Sequence, residues 1–135
     1  MRMTFYLKLY ALTILVFFVI DMIWLGHVAK GFYRRKLRFI LSEDVNRAAA
    51  AIFYLIYVAG IIFFAVRPAI AQRSLGQAAL LGALYGFFTY ATYDLTNLAT
   101  IKDWPVLIVV VDVVWGVCLC TLVSGASFAV AVRLM

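Results

Sequence analysis

Residues 106–132 read VLIVVVDVVWGVCLCTLVSGASFAVAV, with Asp112 as the one charged side chain. As an α-helix this run is about 40 Å long, more than the roughly 30 Å hydrocarbon core of a bilayer. Pro105 stands where a helix begins and its missing N–H costs nothing. Outward from this run the rest of the chain has the same character. Of its 135 residues, 67% are hydrophobic and 13% charged, against the 45–50% apolar content usual for a soluble domain. The mean hydropathy is +1.06. A soluble core of this size cannot hide so much apolar surface, which excludes a water-soluble enzyme, a disordered chain and a disulfide-framed secreted domain.

Three further apolar runs are predicted to span the membrane, giving helices over about 9–28, 48–66, 76–98 and 106–132 in one transmembrane domain. The runs are continuous rather than short and alternating, which favours helices over barrel strands. The expected fold is an all-α integral membrane four-helix bundle. Arg67-Pro68 is read as the exit of the second span, and Ser42-Glu43-Asp44 as its cap. The first run holds Asp21 and lacks a small-residue cleavage site, so it reads as a helix of the mature protein. Cys118 and Cys120 lie two apart on a helix and point in different directions, so they neither pair nor clip a metal.

Net charge is +6. No soluble module is present to carry nucleic-acid binding, and the basic excess fits anionic lipid head groups instead. The first loop holds the densest cluster, with Arg34, Arg35, Lys36 and Arg38 as candidate head-group ligands. The first and third loops hold seven basic residues, and the termini and second loop five. The basic-inside rule therefore leans toward cytoplasmic first and third loops. The acids are more one-sided. Asp21, Glu43, Asp44, Asp94, Asp103 and Asp112 all lie toward the side of the first and third loops.

Asp21, Asp94 and Asp112 fall inside spans, each four to eight residues from that side, or roughly 6–12 Å deep. The spacing around them repeats: Asp21-Met-Ile-Trp24, Asp112-Val-Val-Trp115, Tyr54-Leu-Ile-Tyr57, and Tyr90, Tyr93, Asp94 and Asn97. Residues three or four apart share a helix face. A lipid-facing Asp costs about 2.5–3.5 kcal/mol, so all three are expected to turn inward. The candidate catalytic layer is Asp21, Asp94 and Asp112, lined by Trp24, Tyr54, Tyr57, Tyr93, Asn97 and Trp115. Three such carboxylates can do acid–base chemistry, carry protons, or hold a divalent cation; no other cofactor is evident. The competing reading is structural, an Asp carboxylate bonded to an indole N–H across helices. His27 reads as an interfacial imidazole or a proton shuttle for the layer. Trp104 reads as an interface anchor. Gly82-Ala-Leu-Tyr-Gly86 and Ser124-Gly125-Ala126-Ser127 are small-residue faces for close helix packing.

The run Tyr90-Ala-Thr-Tyr-Asp94-Leu-Thr-Asn97-Leu-Ala-Thr100, followed by Trp104-Pro105, resembles the DUF2177 family of small bacterial integral membrane proteins. Asp21-Met-Ile-Trp24-Leu25, Phe32-Tyr33-Arg34, Phe53-Tyr54-Leu-Ile-Tyr57-Val-Ala-Gly60, Phe64-Ala-Val-Arg67-Pro68 and Val111-Asp112-Val-Val-Trp115-Gly116 extend the likeness over nearly the whole chain. The resemblance implies a four-helix membrane protein, of a family without an assigned activity. Its members are often encoded near enzymes that modify membrane fatty acids, such as cyclopropane-fatty-acid synthases. Three functions are therefore expected to compete. One is a part in membrane lipid modification, with membrane lipids as partners. The second is a small proton-coupled transporter or channel, in the architectural style of small multidrug transporters. The third is an accessory subunit, as a homo-oligomer or in a larger membrane complex. The chain has no His cluster of the di-iron desaturase kind, no serine nucleophile motif and no nucleotide loop. Enzymatic chemistry would have to run on carboxylates, phenols and a bound ion.

Overall fold

The computed structural model describes residues 2–135 and is 84% helical, with no strand among them. Helix α1 spans Arg2–Ile23 and ends in a π turn, Trp24–Val28. A short helix α2, Phe32–Lys36, follows. Helix α3, Arg47–Ile61, runs through a second π turn, Ile62–Val66, into α4, Arg67–Gln72. Helices α5, Leu75–Thr100, and α6, Val106–Leu134, complete the chain. Three continuous helical stretches are long and apolar enough to cross a membrane: Arg2–Val28, Arg47–Gln72 and Val106–Leu134. α5, with 26 residues, matches them in length. It is less apolar because it carries Gln77, Tyr85, Tyr90, Tyr93, Asp94 and Asn97.

The helices pack side by side. α6 lies against α5 and α1, and the α3–α4 stretch closes against α1 and, through its π turn, against α5. Large apolar side chains on every side remain exposed, among them Phe18, Ile56, Phe88 and Val114, as suits a surface solvated by lipid tails. Glycine sets the α5–α6 approach. A Cβ on Gly82 would collide with the Cys120 carbonyl and Ser124, and one on Gly86 with the Gly116 backbone. Both faces read as small-residue stripes thus meet a helix, and Ser127 hydrogen-bonds Thr13 of α1 at 2.6 Å.

Several local features differ from the sequence reading. The helix does not end at Arg67-Pro68. The π turn widens the backbone just before Pro68, where the ring would otherwise crowd the preceding turn. The stretch ends six residues later than expected, at Gln72, where Arg73 adopts φ 51°. The cap of α3 is Asn46, whose side chain accepts from the Ala49 N–H at 3.0 Å. Ser42 instead bonds within its own loop, to Asp44. The basic loop is also more structured than expected: Phe32, Tyr33 and Leu37 pack against Trp104, Ile108 and Val109 at the start of α6. Trp104 is therefore a buried packing residue, edge-on to Tyr93, rather than an exposed anchor.

Candidate intramembrane site

The end of α1, the start of α3, the end of α5 and the start of α6 come together on one side. There the two Asp-x-x-Trp segments exchange partners. Trp115 of α6 donates its indole N–H to Asp21 Oδ1 of α1 at 3.3 Å. Trp24 of α1 donates to the Tyr33 hydroxyl at 3.1 Å, and Tyr33 donates to Asp112 Oδ1 of α6 at 3.0 Å. Between these two links the indoles of Trp24 and Trp115 stack, with centroids 4.5 Å apart and planes 8° from parallel. The equal Asp–Trp spacing on antiparallel helices makes the exchange possible, since each motif presents one acceptor and one donor on the same face.

Asp21 is saturated. Its second oxygen accepts from Tyr54 at 3.0 Å. Asp94 is the opposite case. It is fully buried, and neither oxygen has a hydrogen-bond donor. Its carboxyl group lies within hydrogen-bonding reach of the Asp112 carboxyl. The predicted layer thus divides into a satisfied carboxylate, Asp21, and a facing pair, Asp94 and Asp112. Among the described residues no three acidic, His or Cys groups converge as a metal ligand set.

These groups border a cavity of about 540 Å³, within the usual range for small-molecule sites. Asp21, Trp24, Tyr57, Tyr93, Asp112 and Trp115 line it, as do Leu25, Tyr33, Phe53, Thr89 and Tyr90. Tyr54 reaches Asp21 from outside the lining, and Asn97 sits nearer the end of α5 without lining it. His27 is exposed and does not line the cavity. Tyr57 is fixed by Thr89 at 2.7 Å and by Cys120 at 3.2 Å. Cys120 is buried and unpaired, and Cys118 is exposed.

Tyr33 is the main residue that the sequence reading left out of the site. It sits one residue from Arg34 in a basic stretch and looks like surface. Burial and the neighbouring Asp112 carboxylate raise its phenol above the ordinary range, so it stays a donor. Its aromatic neighbour Phe32 and the apolar Leu37 carried the signal that this loop folds inward. Arg34, Arg35, Lys36 and Arg38 are exposed just beyond it.

Length, exposed apolar helix faces and a polar layer between the helices define an all-helical membrane protein with a cavity that opens at the surface of the helix cluster. The chain belongs to the DUF2177 family, described as a predicted membrane protein, whose family model matches residues 6–129. Neither the curated proteins nor the solved structures include a match.

Proposed function

We propose that this protein acts in membrane lipid modification, taking part of a lipid into the aromatic cavity and using Asp94 and Asp112 as its acid–base groups. The observation that carries this reading is Asp94, wholly buried with no donor on either oxygen. Two buried carboxyls that face each other cannot both be charged cheaply, and a charged one without a donor costs several kcal/mol. An apolar side chain would fill that place at no such cost, so the group reads as one that exchanges a proton or meets a ligand. The exposed Arg34, Arg35, Lys36 and Arg38 fit the phosphate of a head group, since Tyr33 of the same segment forms part of the cavity wall. The proposed setting is a bacterial inner membrane, and seven basic residues against five lean this face toward the cytoplasm.

The test is lipid composition. Cells lacking the protein, and cells carrying only Asp94→Asn, are expected to share one change in membrane lipids. An unchanged lipidome in both strains sinks the proposal. A structural role is the second reading, favoured by the crossed Trp115–Asp21 and Trp24–Tyr33–Asp112 links. It predicts that Trp115→Phe and Tyr33→Phe lower thermal stability with no lipid phenotype beyond the loss of protein. For proton-coupled transport the discriminating result is proton-linked flux in vesicles that Asp21→Asn abolishes.

A further inference from the structure

The cavity combines two kinds of wall that together select a chemistry. Seven of its lining residues are aromatic, with the Trp24–Trp115 stack on one side and Tyr33, Tyr57 and Tyr90 around it. Two are carboxylates, Asp21 and Asp112. Among the described residues, no Lys, Arg or His lines it. Behind Asp112 stands Asp94, fully buried, with both oxygens free of donors. Aromatic faces attract cations through their quadrupoles, most strongly when water is excluded. A carboxylate pair without a basic neighbour supplies the net negative charge.

We infer that the cavity binds a positively charged ammonium group, seated against the Trp24–Trp115 stack and neutralising the Asp94–Asp112 pair. The inference rests on the proposed lipid role and narrows it to an amine-bearing substrate. Two sources share this chemistry, a zwitterionic lipid head group and a free lipophilic amine. A head group offers a second contact, because its phosphate would lie toward the exposed Arg34 and Arg35 while the ammonium enters past Tyr33.

The experiment uses the full chain in uncharged dodecyl maltoside micelles, which carry no amine and no anionic surface to concentrate a cation. Phenyltrimethylammonium and its neutral isostere tert-butylbenzene are titrated while the tryptophan emission is followed. The charged probe is expected to bind at least tenfold more tightly, and the double substitution Asp94→Asn with Asp112→Asn to remove that advantage. Equal affinity for the two probes overturns the inference, and so does an advantage that survives both substitutions. The probe comparison on the unaltered protein is decisive even if a variant misfolds. Adding phosphatidylethanolamine, which is net neutral, to the micelles then assigns the source. Weaker probe binding supports the head group, and unchanged binding supports a free amine in the same site. The lipid role and this inference fail separately: an unchanged lipidome leaves the ammonium preference intact, and a changed lipidome does not require it.

Discussion

At the end of the helix cluster away from the cavity, polar groups are small hydroxyls, uncharged, and Ser124 Oγ among them is buried without a partner. Thr13 donates to the Leu9 carbonyl of its own helix at 2.7 Å and meets Ser127 at 2.6 Å. Gly82 lets Ser124 and the Cys120 carbonyl approach α5 closely. At the cavity end the polar groups are large, borrowed across helices, and in one case left without a donor. Asp21 draws on Tyr54 and Trp115, Asp112 on Tyr33, and Asp94 on neither oxygen. Membrane helices have no hydrophobic drive to associate, so small-residue contact and closed hydroxyl bonds suffice for assembly. The cavity end contains more charge than assembly requires.

Substitutions should separate the two ends. The largest effect is expected from Gly86→Leu, which drives a side chain into the Gly116 backbone. Overpacking against backbone costs about 1–3 kcal/mol or more, and size-exclusion chromatography in detergent should show loss of the monodisperse protein. Asp94→Asn should do the reverse. Its amide can donate to Asp112, and a hydrogen bond to a charged group contributes about 1.5–3 kcal/mol. Thermal unfolding should therefore rise or hold while the membrane lipids change as they do without the protein. A variant that is less stable and fully active would erase the distinction between the ends. Neutralising Arg34, Arg35 and Lys36 together should weaken the contact of this loop with anionic head groups by about 1 kcal/mol per residue, with a reduced salt dependence. Titrating the detergent-solubilised protein with a short-chain anionic lipid at two ionic strengths measures this. The smallest change belongs to Thr13→Val. It removes one interhelical hydrogen bond, about 0.6 kcal/mol in membrane proteins, and should leave every functional readout untouched.

The same comparison shows what was legible in the chain. The small-residue end could be read outright, because GxxxG spacing and a Ser/Gly/Ala run fix which face packs. The depth of Asp21, Asp94 and Asp112 followed from counting residues from the helix ends. Partner choice did not follow. The spacing of Asp21 with Trp24 suits a bond within or across helices alike, and only packing pairs Asp21 with Trp115. Tyr33 was hidden by its basic neighbours, since side chains of opposite character alternate around a single short helical turn. Trp104 was misread for a related reason. An indole beside Pro105 at a helix start looks interfacial until the loop that covers it is known. Ser42 and Asn46 are both good caps, and which one is used depends on where the loop's own bonds close.

The π turn at Ile62–Val66 has a consequence for phase. Buried positions along this stretch recur every fourth residue, at Tyr57, Ile61, Ala65 and Ala69. At 3.6 residues per turn such a stripe would wander by about 120° over its length. One surplus residue wound into a wider turn takes back about 100° of that. Tyr57 near the cavity and Ala69 at the far end therefore face the same interior. The stretch carries one residue of slack. Deleting a residue within 62–66 is expected to keep both faces in register, with a kink where the Pro68 ring then crowds the preceding α turn, and a deletion on either side of it to turn one of them toward lipid.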